Sequence, residues 1–200
     1  MKHFFWIAYF CFLFISCKKE SHSLTADTPD PVTEIPLNLI KYTIHKGQQY
    51  CDQNTYKPIV FSGLKFSVKF DSSAIYSAEN PGNQTDINKL YGFSDNNTDH
   101  HQFSARFGWR WSDNALRLFA YIYNDSKRVS KELGTVIIGS ENFCSIAIAA
   151  GNYIFSLNNK SDTLTRKSIT QKAVGYQLYP YFGGDEVAPH DISIWIKDLP

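Results

Sequence analysis

The chain of 200 residues carries almost no surplus charge, few cysteines and hardly any acidic side chains where its apolar patterning is strongest. Twenty Lys and Arg against nineteen Asp and Glu leave a formal net charge of +1. No global field then draws in nucleic acid, and no nucleic-acid partner is expected. The sequence has no Cys-x-x-Cys or Cys/His spacing suited to structural zinc. It also lacks a Gly-x-Ser-x-Gly elbow, a P-loop and a dinucleotide fingerprint. Because Asp and Glu are nearly missing from the expected strand interiors, the two acids of a retaining glycosidase are not available. No segment sustains a helical apolar stripe, which excludes a helical domain.

What is present begins at the N-terminus. Met1-Lys2-His3 supplies positive charge, Phe4 to Ile15 is an apolar run, and Ser16 precedes Cys17. The run is too short to span a bilayer as a mature anchor, and the pattern reads as a secretory signal. It resembles a bacterial lipoprotein signal, in which the cysteine after a small residue is acylated and becomes the first mature residue. The organisation this implies is a signal peptide over 1–16, a lipid-anchored flexible tether over 17–36, and one domain over 37–200. The tether expectation rests on a polar, proline-dotted stretch from Lys18 to Pro36 without periodicity. The expected location is the cell envelope, anchored at the outer membrane on its periplasmic or surface face. Within the domain only Cys51 and Cys144 remain; in an oxidising compartment they either bridge or stay as two separate buried thiols.

The domain reads as all-β. In Leu64-Lys65-Phe66-Ser67-Val68-Lys69-Phe70 the apolar residues fall on one face and the lysines on the other, as in an antiparallel strand wet on one side. Ile192, Ile194 and Ile196 alternate with Ser193, Trp195 and Lys197 in the same way. Further strands are expected over 88–93, 135–138, 145–149, 153–157 and 174–181. About ten strands with tight turns make an antiparallel β-sandwich of the jelly-roll type. The most informative pair is Gln102 to Trp111 and Leu116 to Asn124. With Asp113-Asn114 as the turn, Ser112 faces Ala115 and the register is fixed outward from there. One face then holds Trp111, Trp109, Phe107 and Ala105 against Leu116, Leu118, Ala120 and Ile122, and is core. The other sets Arg110 beside Arg117, Gly108 beside Phe119, Arg106 beside Tyr121 and Ser104 beside Tyr123. Facing arginines repel unless solvent screens them or an anion lies between them.

That second face has the parts of a glycan groove. Arg106, Arg110 and Arg117 offer guanidinium forks for carboxylate or sulfate, while Phe119, Tyr121 and Tyr123 offer flat rings for sugar surfaces. It also fits an outward sheet face covered by arginine stems, or a face docked by a loop or a protein partner. Along 174–181, Val174, Tyr176 and Leu178 alternate with Gln177, Tyr179 and Tyr181. Gln177 and Tyr179 could serve the groove as carboxylate neutraliser and proton acceptor, or simply pack. His100 and His101 follow a loop-like stretch; on a strand they would point to opposite faces, leaving at most one, such as His101, for a site. Asp191 is a weak candidate for calcium, the one cofactor the residues suggest.

Four segments together resemble glucuronan lyase-like polysaccharide lyases: Lys89-Leu90-Tyr91-Gly92-Phe93, Phe103 to Arg110, Leu118-Phe119-Ala120-Tyr121, and Tyr181-Phe182-Gly183-Gly184. The resemblance implies a concanavalin-like jelly roll acting on uronic-acid polymers by β-elimination, some members with structural calcium. As a lyase, the chain would draw its chemistry from Arg106, Tyr121, Gln177, Tyr179 and His101. The chain also resembles small lipoproteins of Bacteroidetes-type bacteria that serve glycan uptake. Three roles follow as expectations: binding an acidic glycan without cleaving it, cleaving it as a lyase, or docking a protein as a structural lipoprotein.

Overall fold

A computed structural model describes residues 38–200; the expected signal peptide and the whole of the tether, Cys17 included, lie outside them. Twelve strands follow in chain order: β1 (Ile40–Ile44), β2 (Pro58–Phe61), β3 (Gly63–Phe70), β4 (Asn88–Ser94), β5 (Phe103–Ser112) and β6 (Ala115–Asn124), then β7 (Lys127–Val136), β8 (Glu141–Ala149), β9 (Asn152–Leu157), β10 (Lys160–Thr165), β11 (Ala173–Leu178) and β12 (Ile192–Asp198). Two short 3-10 turns, Ser72–Ala74 and Pro81–Thr85, lie between β3 and β4. The strands form two six-stranded sheets, ordered β1-β12-β3-β8-β9-β10 and β2-β11-β4-β5-β6-β7. All pairings are antiparallel. The fold is the expected jelly-roll sandwich. No helix among the described residues is long and apolar enough to cross a membrane.

The period-two patterning positions the core. Leu64, Phe66, Val68 and Phe70 of β3 are buried with Ile192, Ile194 and Ile196 of β12. From the second sheet, Ala105, Phe107 and Trp109 of β5 meet them with Leu118, Ala120 and Ile122 of β6. Phe107 stands edge-on to Phe66 and Phe155, with ring centroids 5.4 Å away in both cases, so one β5 ring ties the two layers together. The β5–β6 register agrees with expectation at every pair from Ser112↔Ala115 to Ser104↔Tyr123. Asp113 and Asn114 both have positive φ, 51° and 55°, the backbone a two-residue hairpin turn requires.

Four edge strands escaped the alternation: β1 and β2, four or five residues each, are too short to show a period. β7, legible only as 135–138, runs from Lys127, and β10 was not legible at all; both are edge strands with mostly exposed side chains, so neither face writes an apolar period. β11 ends at Leu178 and not at Tyr181, which makes only isolated bridges to Tyr50 and Lys89. Cys51 and Cys144 are separate buried thiols. Burial pushes the Cys51 thiol up to about 11, so it is not an activated nucleophile.

Two further devices shape one end of the second sheet. The β4–β5 pairing shifts register between Lys89 and Gly92, and Leu90 and Tyr91 are consecutively buried there. Beyond β4, the fully buried Asp95 receives Arg166 Nε at 2.7 Å and Nη2 at 3.0 Å, and the Tyr153 hydroxyl donates to the same carboxylate. Burial alone would raise the Asp95 carboxyl, but these donors hold it below the usual carboxylate range. The pair fastens the segment after β10 to the loop between β4 and β5.

Candidate functional site

The outward face of the β2-β11-β4-β5-β6-β7 sheet is hollowed into a cleft of about 520 Å³. Register builds its floor in rows. Gly92 of β4 pairs with Arg106 of β5, which pairs with Tyr121 of β6. The next row sets Ser94, Ser104 and Tyr123 side by side, with Arg128 of β7 beyond. On the other flank Lys89 bridges Tyr181 and pairs with Gly108. Gly92 is required here: a Cβ on it would lie 2.2 Å from the Cβ of Arg106 and from the Ala105 carbonyl oxygen. Its absence is what lets the arginine stem lie down on the sheet.

Arg106 is 6% exposed, yet its guanidinium has no carboxylate partner among the described residues and its buried Nε has no hydrogen-bond acceptor. Only the Tyr121 ring, 5.4 Å away, faces it as a cation–π partner. Burial brings this guanidinium down to about 10. Lys89 Nζ donates to the Gly183 carbonyl at 2.7 Å and lies over Tyr121 and Tyr181 at 5.5 and 5.7 Å. Burial, and then the nearby Arg106 charge, lower its ammonium to about 8. None of the lining residues is Asp or Glu. A floor with two half-desolvated cations and no resident anion is electrostatically unfinished.

Tyrosines wall the cleft. Tyr56, 73% exposed, leans on Tyr176 at 5.7 Å, and Tyr50 meets Tyr181 edge-on at 4.9 Å. The Tyr176 hydroxyl lies 2.8 Å from His100 Nδ1. Burial, with the Arg106 and His101 charges, lowers His100 to about 4, so its imidazole is neutral at neutral pH. Burial and the neighbouring Tyr123 raise the Tyr121 phenol to about 12.

The expected residues divide. Arg106, Tyr121, Tyr123 and His101 do meet in the cleft, and Gln177 and Tyr179 border it. Arg110, Arg117 and Phe119 share the sheet face but lie toward the β5–β6 turn, outside the cleft. No anion is needed between the two arginines. Arg117 binds Glu132 at 2.9 Å and Asp113 at 3.1 Å, whereas Arg110 stacks 4.9 Å above Phe119 and donates to the Thr85 carbonyl at 2.6 Å. The two faces of β11 are also exchanged. Gln177 pairs with Phe93, in a row continued by the core residues Ala105 and Ile122. It is 3% exposed, its amide donates to the Gly92 carbonyl at 2.6 Å, and its Oε1 is unpartnered. Tyr176 occupies the cleft side instead, and Tyr179 packs on Tyr42 and Tyr91. The two histidines do not split across a strand, because they sit in a turn with ring centroids 4.1 Å apart. The Asp191 carboxylate is taken by His45 Nδ1 at 3.1 Å and the Lys46 amide at 2.8 Å. Lys89, Tyr50, Tyr56 and Tyr176 were not legible as site residues. Lys89 carried one usable signal, its place in the Lys89-Leu90-Tyr91-Gly92-Phe93 segment that resembles the lyases.

No protein-family model matches the chain, and no curated protein matches its sequence. Solved structures do match. Alginate lyase AlyC3 superposes with a TM-score of 0.56 over 81% of this chain and 74% of its own, at 8% identity. Its complex with dimannuronate gives 0.51 over 79% and 71%, again at 8%. Alginate lyase A1-II′, of polysaccharide lyase family 7, gives 0.50 over 80% and 79%, at 9%. The fold is the jelly roll of alginate lyases. At such low identity the likeness carries architecture and not activity.

Proposed function

We propose that this chain is a lipid-anchored envelope protein whose cleft binds an acidic polysaccharide built of uronic acids. The observation that carries the reading is Arg106: a nearly buried guanidinium with no hydrogen bond to any described side chain, in a cleft lined by tyrosines and free of carboxylates. A polymer of uronates supplies the missing anions at each sugar, and its ring faces stack on Tyr50, Tyr56 and Tyr181. The dimannuronate in the AlyC3 complex supports the reading by showing an acidic sugar bound to the same architecture. Anchoring through lipid on Cys17 rests on the lipoprotein-like signal, and several acyl chains at about 0.8 kcal/mol per buried methylene give lasting attachment.

One observation favours a second reading, that the bound polymer is also cleaved. The Tyr176 hydroxyl and neutral His100 form a hydrogen-bonded pair near Arg106. In β-elimination a cation neutralises the uronate carboxylate, a base takes the C5 proton, and that electron pair becomes the C4=C5 bond. The C4–O glycosidic bond then breaks and its oxygen takes up a proton. Arg106 fits the first role, and the Tyr176–His100 pair could carry the proton. Hydrolysis by paired carboxylates has no support from this lining.

The test incubates the full chain with alginate, glucuronan, pectate and sulfated polymers, and follows both retention and the ultraviolet absorbance of the unsaturated product. Retention without absorbance supports binding alone, and retention with absorbance makes the chain a lyase. No retention of any uronate polymer refutes the cleft reading. The anchor is checked separately by Cys17→Ser, which is expected to release the chain from the membrane fraction.

A further inference from the structure

At the end of the cleft, Asp99-His100-His101 forms a turn that gathers three side chains onto one side. The Asp99 carbonyl accepts from the amides of Gln102 and Phe103 at 2.9 and 3.1 Å, and its carboxylate accepts from the His101 amide at 2.8 Å. This backbone curl cancels the strand alternation that would have separated the two imidazoles. His101 Nδ1 comes to 3.4 Å from one Asp99 oxygen and His100 Nδ1 to 3.7 Å from the other. The Tyr176 hydroxyl adds an oxygen 2.8 Å from His100 Nδ1 and 3.5 Å from Asp99. One donor atom from each of Asp99, His100 and His101 lies within 4.8 Å of the others.

These separations have a chemical meaning. Zinc binds imidazole nitrogen and carboxylate oxygen at about 2.0–2.2 Å in a tetrahedron. From those bond lengths, neighbouring donors in such a shell stand roughly 3.3–3.6 Å apart. The 3.4 and 3.7 Å distances, to the two Asp99 oxygens, and the 3.5 Å from Tyr176 to Asp99 fall on or beside that edge length, whereas the 2.8 Å hydrogen bond between Tyr176 and His100 must open by about half an ångström for both to ligate one ion. Two nitrogens with one carboxylate suit a zinc-class ion better than calcium, which prefers six or more oxygens. His101 and Asp99 are more than half exposed and leave the ion an open path.

We propose that Asp99, His100 and His101, with the Tyr176 hydroxyl, bind a zinc-class divalent ion at the end of the cleft. With those four donors the tetrahedron is complete, so a sugar hydroxyl or carboxylate enters from the cleft by displacing the Tyr176 hydroxyl or as a fifth ligand. The site stands on its own geometry and does not depend on the glycan reading, so it is tested without any polymer.

The experiment titrates the full chain in detergent with zinc chloride by calorimetry, and with cobalt(II), whose visible absorption reports tetrahedral coordination. The expected result is one event with micromolar affinity, weakened at least tenfold by His101→Ala and by Asp99→Asn. Both side chains are exposed, so the metal-free variants are expected to melt like wild type; if His101→Ala does not, His101→Gln carries the test. An event unchanged by both substitutions belongs to other donors, such as the four remaining histidines, and overturns the proposal. No event up to 100-fold above the micromolar range (on the order of 100 μM, about 5.5 kcal/mol of binding free energy) overturns it as well.

Discussion

Replacing Arg106 by Met is expected to raise the stability of this protein while abolishing its binding of uronates. The guanidinium is buried on the cleft floor, where no described carboxylate pairs with it and its Nε finds no acceptor. Burial lowers it from 12.5 to about 10. At about 1.4 kcal/mol per tenfold, holding it charged in the fold costs roughly 3 kcal/mol. Methionine fills much of the same channel beside Gly92 and removes that cost. It gives up the cation–π contact with Tyr121, worth about 1 kcal/mol, and some packing. A net gain of about 1–2 kcal/mol remains, which for a domain of this size raises Tm by about 3–6 °C. The assay is a pair of thermal melts followed by circular dichroism, run beside a binding titration with polymannuronate. A variant that melts several degrees below wild type would refute the reasoning, because the guanidinium would then be satisfied and not awaiting an anion.

Three other outcomes follow. With Lys89 at about 8, uronate affinity is expected to fall as pH rises from 7 to 9.5, by up to about tenfold per unit above 8. Over the same interval the free fold gains stability, because the unfolded lysine keeps its proton to higher pH; Lys89→Met should flatten both profiles in titrations and melts. Asp95→Asn leaves Arg166 buried without its counter-ion and is expected to cost about 3–5 kcal/mol in urea unfolding. Because the Asp95 carboxyl is held low, its contribution is present above about pH 4 and is lost as pH falls through the lowered value, so the variant should show a shallower acid limb. Trp109→Ala is expected to lose about 3–5 kcal/mol, since its ring is fully buried against Phe70 and Tyr76; a wild-type melt would overturn the face assignment.

How much of this was legible follows from where each residue's environment is decided. The β5–β6 hairpin could be read pair by pair because strict alternation and an Asp113-Asn114 turn fix register locally. Arg106, Tyr121 and Tyr123 came with it, since one register error would have sent them to the core. β11 resisted the same reading. Its two faces are Tyr176 with Leu178 against Gln177, and composition does not say which is inside when a buried glutamine is stabilised by a carbonyl of β4. Arg110 and Arg117 looked like a shared anion site because their separate partners, Thr85 and Glu132, are assembled only by the fold. The Asp95–Arg166 pair spans 71 residues of chain, and nothing local to either residue announces it.

The cleft draws its central cations from paired strands and part of its aromatic wall from irregular backbone. Lys89 and Arg106 project from paired strands, where moving either would disturb ladders on both sides. Tyr56 belongs to the irregular connection 52–57 between β1 and β2, which is tied to the strands by backbone bonds at its two ends, from Asp52 to Thr43 and from Gln177 to Lys57. Sequence change in that connection is cheap, and change in the floor is not. Substitutions in that connection can therefore reshape the rim of the cleft at Tyr56, while its cationic floor stays fixed by the sheet.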